Sequence, residues 1–166
     1  MMIRALCLLV ITSLFLPMKG QDFVSKFMEQ CSDKDSIQCQ TISPKMMEKL
    51  VEVQLQQKEE NNDEVSGYLL SKLKSARIIT ANRHCEKLFH KASQLIEKNK
   101  NRFVPLGNDS TDKKNQIFIR KHDDIIRELV MLSLAPENHI FTIINFTGEM
   151  DDEFIESLSS GKLKEN

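Results

Sequence analysis

The sequence predicts an α+β domain, with an antiparallel sheet of about four to six strands and helices packed mainly on one face. Three observations carry this. An apolar N-terminal run reads as a removable leader rather than as part of the fold. Apolar residues then recur at three-to-four spacing in several segments up to residue 98. From Gln116 onward the pattern changes to strand-like runs separated by only two or three turn residues, which favours an antiparallel meander.

The leader has the parts of an export signal. Arg4 supplies a positive charge, and Ala5 to Met18 is apolar apart from Thr12, Ser13 and Pro17. As a helix, those fourteen residues would reach only about 21 Å, short of the roughly 30 Å hydrocarbon core. Cleavage is therefore expected, between Gly20 and Gln21, giving residues 1–20 as signal peptide and 21–166 as a single domain. Cys7 lies inside the apolar run, not after it, so it does not fit a lipid-bearing position. No later segment approaches the roughly eighteen apolar residues of a membrane span, so no stable span is expected after cleavage. Residues 1–20 carry Arg4 and Lys19 and no acid, so their loss takes the formal charge from −1 to −3 over the remaining 146 residues. Basic and acidic residues are interspersed throughout, with no concentrated basic face, which argues against nucleic acid as a partner.

Taken in order, Phe23, Val24, Phe27 and Met28 make the stripe of a short first helix. Residues 36–42 read as a strand, and Ser43-Pro44 supplies an N-cap followed by proline at the first helical position. The helix that follows is expected to bury Met46, Met47, Leu50 and Val51, and it fades into the polar run 56–63. Leu69, Leu70 and Leu73 mark a third helix, and residues 76–80 a short strand. Asn82 is a candidate cap for the clearest helix, whose stripe is Cys85, Leu88, Phe89, Ala92, Leu95 and Ile96. Phe103 to Leu106 fits an edge strand because Pro105 cannot donate to a central ladder. Strands are then expected at 116–122, 126–134 and 138–147, and an acidic helix start near Asp151 precedes Phe154, Ile155 and Leu158.

Several of these stretches share wording with a known family. Leu73 to Thr80, Gln116 to Arg120, Ile126 to Leu132 and Phe141 to Asp151 resemble the exported bacterial proteins grouped as domain of unknown function 4252. The resemblance covers roughly residues 23–160. Its most specific parts are the Glu128-Leu129-Val130-Met131-Leu132 strand and the strand ending in Thr147-Gly148 before the acidic helix start. It implies export and an α+β domain in the bacterial envelope, but no activity and no catalytic residues.

Candidate chemistry rests on spacing alone. Cys31 and Cys39 are close enough in sequence to bridge in an oxidising compartment, although a strand position for Cys39 and a helix end for Cys31 leave the geometry open. Three cysteines after the leader leave at least one thiol over, and Cys85 fits the core stripe. His84 and His90 are six apart on one helix and point to different faces. His122 and His139 fall near strand ends, and no zinc spacing includes them. Asp123-Asp124 reads as a turn and Asp151-Asp152-Glu153 as a helix start. Neither Ser133 nor Cys85 has a nucleophile signature around it. Scarce glycine leaves no phosphate-cradling loop. Asn108, Ser110 and Thr111 lie in a loop with glycosylation triplets. No cofactor, metal or catalytic group is expected, which makes a non-enzymatic protein-interaction module of the periplasm or cell surface the leading expectation, with an envelope protein as partner. Two other readings stay open. One is a small apolar-ligand or lipid carrier with a pocket lined by Phe118, Met131 and Phe141. The other is a hydrolase whose acidic and histidine side chains meet only in three dimensions.

Overall fold

The computed structural model describes residues 21–31, 36–57, 64–107 and 114–159. In chain order the elements are α1 (Phe23–Gln30), β1 (Ile37–Ile42), α2 (Pro44–Gln57), α3 (Glu64–Lys72), β2 (Leu73–Ala81), α4 (Cys85–Lys98), β3 (Val104–Pro105), β4 (Asn115–His122), β5 (Ile125–Ala135), β6 (Ile140–Met150) and α5 (Asp152–Ser159). The strands form one six-stranded sheet in the order β1-β2-β6-β5-β4-β3, and every pairing is antiparallel. The protein is thus α+β, as its sequence predicts.

Short connections make the meander. Asp123 and Asp124 both have positive φ, 52° and 61°, in a two-residue loop closed by the His122–Ile125 pair. This is the left-handed pair whose twist matches a β-hairpin. Proline and brevity limit β3 to two residues at one edge of the sheet, where Pro105 pairs with Phe118.

The helices cover both faces of the sheet, not mainly one. The cause is β5, where Val130 and Leu132 point to one side, Leu129 points to the other, and all three are buried. A strand apolar on both sides needs cover on both. On the first face α1 and α4 pack Phe23, Val24, Phe27, Leu88, Ala92 and Leu95 against Ile79, Val130, Leu132, Phe141 and Ile143. Phe27 and Phe89 meet the Phe141 ring at centroid distances of 6.0 and 6.3 Å. Each fully buried Phe, Leu, Ile or Val of this layer contributes about 1.5–3 kcal/mol. On the second face, Leu69 of α3 and Phe154 of α5 pack over Ile119, Leu129 and Met150.

Two local expectations are corrected. The residue at the α4 N-cap is His84, not Asn82. It is left-handed (φ 55°), not in the extended conformation from which a side chain caps, and it makes no side-chain capping bond. Of the four α2 residues expected to be buried, Met47 alone is; Val51 is half-buried, and Met46 and Leu50 are 52% and 42% exposed. This helix packs on β2 with a helical neighbour, α3, on one flank, and Met46, Leu50 and Val53 lack cover among the described residues.

A polar clip joins α3 to α5. Asp151 Oδ1 accepts from the Phe154 N–H at 2.9 Å, capping α5, and from Tyr68 Oη at 2.5 Å. Asp151 Oδ2 accepts from Lys72 Nζ at 2.6 Å. The Lys72 and Tyr68 bonds hold the Asp151 carboxyl down at about 2. A depressed carboxylate contributes stability that is complete above the ordinary carboxylate range and is lost as pH falls toward the folded value. Urea midpoints measured from about pH 5 to about pH 2 should therefore fall less steeply for Asp151→Asn than for the natural chain. Parallel curves would show that the clip does not form in solution.

Candidate functional site

The register sorts the first face of the sheet into rows across the strands. Val130, Asn145, Arg77 and Thr41 form one row, and Arg120, Glu128, Thr147 and Ser75 the next. The start of α1 sits over these polar rows. Glu128 is fully buried. Its Oε1 accepts from the Phe23 N–H at 2.6 Å and from Asn145 Nδ2 at 3.1 Å, and its Oε2 accepts from Arg120 Nε at 2.9 Å. Beside it, Asp22 Oδ1 caps α1 by accepting from the Ser25 N–H at 2.7 Å and also accepts from Arg77 Nη1 at 3.0 Å. Arg77 Nη1 donates to Ser25 Oγ at 2.7 Å as well. Both Glu128 oxygens are engaged by the protein itself, so the network fastens α1 to the sheet and presents no reactive group. Sequence reasoning passed over it. A charged residue and an amide inside the apolar strands, Glu128 and Asn145, were the available signal.

The cysteines do not meet. Cys31 and Cys39 are not bridged: Cys31, at the C-cap of α1, is buried in the first-face core, whereas Cys39 is exposed on β1. Cys39 is paired in register with Ile79, and its Sγ lies 3.9 Å from Thr41 Oγ1. Cys85 is buried and donates its S–H toward Ala81 O at 3.3 Å and His139 O at 3.0 Å. A cleft of about 560 Å³ lies beside it, lined by His84, Glu86, Lys87 and His139 among others. Its thiol is engaged by two backbone carbonyls, and the arrangement is that of a satisfied core residue.

The remaining sequence-marked residues are scattered. Gln21 is exposed and donates from Nε2 to Glu29 Oε1 at 2.7 Å. Gly20, on the other side of the expected cut, and the loop residues Asn108, Ser110 and Thr111 lie outside the described residues. His90 contacts Gln94, and His122 Nδ1 lies 2.8 Å from Asp123 Oδ2 on an open hairpin rather than in a cleft. Among the described residues no three His, Cys, Asp or Glu side chains gather as a metal site would require. No described helix is long and apolar enough to cross a membrane. Phe118 and Phe141 belong to the first face and Met131 to the second, so these three do not line one pocket.

What the described surface does offer is an open sheet edge. β1 pairs with β2 on one side, and no described strand pairs with its other side. Its sequence, Ile37-Gln38-Cys39-Gln40-Thr41-Ile42, has no charge and no proline, and residues 38–41 are exposed. Natural edges are usually blunted by charge, proline or brevity. The β3 edge follows that rule and β1 does not. Next to it, Met46, Leu50 and Val53 of α2 are 52%, 42% and 49% exposed. Their spacing of four and three places them on one flank of the helix. The opposite flank, with Glu48 and Glu52, lines a cleft with Ser71 and Lys74. The apolar stripe is thus on the side away from α3.

A family model described as domain of unknown function (DUF4252) matches residues 27–158. No curated protein and no solved structure matches the chain.

Proposed function

Proceeding from the fact that this chain belongs to the DUF4252 family, we propose that it is an exported, non-enzymatic protein-interaction module of the cell envelope, and that the outer edge of β1 receives an extended protein strand. The carrying observation is the uncharged, proline-free and exposed β1 edge beside the bare apolar flank of α2. Strand addition suits such a surface: backbone bonds to the edge supply affinity, and alternate side chains supply specificity. The N-terminal leader motivates the location, since its apolar run has signal-peptide length and a small residue, Gly20, at the expected cut.

A direct test compares tagged protein with a Gln40→Lys, Thr41→Lys variant in capture experiments from the envelope fraction. Both positions are exposed, so the variant should fold. A stoichiometric protein retained by the natural chain and reduced at least about tenfold by the edge charges is the expected result. Identical capture by both would place the interaction elsewhere and remove this reading.

A second reading has its own observation. Ile117, Met131, Ile144 and Ile78 form a row across the second face and are only half-buried. An apolar ligand or lipid would use this open row instead of a closed cavity. Organic extraction of the same purified protein followed by mass spectrometry distinguishes the two: a lipid present at one per chain, with no protein partner, favours the carrier.

A further inference from the structure

We infer that the strand received at the β1 edge is β1 of a second copy, in an antiparallel two-fold dimer whose axis passes beside Cys39. The inference rests on the interaction reading above and names its partner. Three independent features converge on it.

The strand is complementary to itself. With Cys39 opposite Cys39 of the second copy, Ile37 falls opposite Thr41 and Gln38 opposite Gln40. β-Branched residues meet β-branched residues and amides meet amides, without any charge. Pairs of this kind are the stabilising unit of an antiparallel sheet.

Cys39 is also the exposed member of the three described cysteines, while Cys31 and Cys85 are buried. An exported domain with an odd thiol at its surface is suited to intermolecular pairing. Directly opposed residues in an antiparallel pair have Cα atoms about 4.5 or 5.5 Å apart. Both separations lie within the roughly 4.4–6.8 Å that a disulfide spans. The two Cys39 thiols would together lose two protons and two electrons as one S–S bond forms. A disulfide oxidant of the envelope would accept both and be reduced to its dithiol.

The third feature is on the other face. Cys39 shares the first face with its register partner Ile79, whereas α2 follows β1 onto the second. Two-fold pairing of the β1 strands brings two α2 helices side by side over the seam. Their uncovered flanks, Met46, Leu50 and Val53 of each copy, would then face each other. One operation thus covers both the bare edge and the bare stripe, as an isologous interface requires.

The test uses the full chain expressed with its N-terminal segment and recovered after export, without reductant. The natural chain should run at twice the chain mass on non-reducing gels and by light scattering. Cys39→Ser should lose the covalent link but remain a dimer at higher concentration. Cys39→Lys and Cys39→Glu should each raise the dimer dissociation constant about tenfold or more, because like charges then oppose each other. Mixing Cys39→Lys with Cys39→Glu should restore association as a heterodimer, a rescue that an axis elsewhere on the strand would not give. A natural chain that stays monomeric with its Cys39 thiol fully reactive overturns the dimer. If in that case Cys39→Lys still abolishes capture of another protein, strand addition stands and only the identity of the strand is wrong. Capture indifferent to Cys39→Lys removes both.

Discussion

Replacing Glu128 with alanine should lower the unfolding free energy by about 3–5 kcal/mol, the usual cost of removing one partner of a buried ion pair. The side chain is fully buried and accepts three hydrogen bonds, one each from Arg120, Asn145 and the backbone of Phe23. Truncation leaves Arg120, whose side chain is only 25% exposed, without its carboxylate. It also leaves the Phe23 N–H, at the start of α1, without an acceptor. Asn145 loses less, because its amide also donates to Leu129 O at 3.2 Å. Urea denaturation followed by circular dichroism measures the total. Hydrogen exchange locates it, and amides of α1 should lose protection before those of β5 and β6. The double replacement Glu128→Leu, Arg120→Met should cost less than Glu128→Ala, since it removes both charges at once. An unchanged midpoint for Glu128→Ala would show that α1 is held by Phe23, Val24 and Phe27 alone.

The same network marks the limit of what the sequence discloses. Periodicity located α4, because Leu88, Ala92, Leu95 and Ile96 recur on one side, and all four are buried. Turn chemistry located the β4–β5 hairpin through Asp123-Asp124, and the proline at 105 placed β3 at an edge. Each of those signals is local. Which face a helix covers is not local, and so the stripes alone point to one-sided packing where β5 needs cover on both sides. The same limit applies to α2. Its spacing shows which residues are apolar, but whether Met46 and Leu50 are covered depends on what lies beyond β1 in the assembled sheet. Arg77 and Asp22 are 55 positions apart, and Phe23 and Glu128 are 105 apart. No window of sequence contains either pair. The exposed edge was hidden for a related reason: strand order is a property of the whole sheet, and β1 becomes an edge only because β6 returns to lie against β2.

Gly148→Ala is the second substitution expected to act strongly, and it explains a motif visible in the sequence. Thr147-Gly148 lies near the end of β6, which runs on to Met150 before the acidic start of α5. Gly148 pairs with Leu73, where the β2–β6 register slips between Leu73 and Ser75. At this slip the two backbones come so close that a β-carbon on residue 148 would lie 2.1 Å from the Lys72 carbonyl oxygen and 3.0 Å from Leu73 Cα. The obstruction is main chain, so no side-chain rotation relieves it. Nor can Lys72 withdraw freely, because its ammonium group is bonded to Asp151 and the next residue enters the sheet. Glycine is required here by close approach. Overpacking typically costs 1–3 kcal/mol, and a clash with backbone on a pinned segment should cost the upper end, about 3 kcal/mol. Thermal and urea unfolding of Gly148→Ala should show that loss, with α3 and α5 amides exchanging faster as Lys72 is pushed from Asp151. A change below about 0.5 kcal/mol would mean that the strands separate locally at little cost. The Tyr68–Lys72–Asp151 clip would then be too loose to hold α5 against α3. Because the clip and the glycine meet at Lys72, Gly148→Ala should also flatten the stability profile between about pH 5 and about pH 2, as Asp151→Asn does.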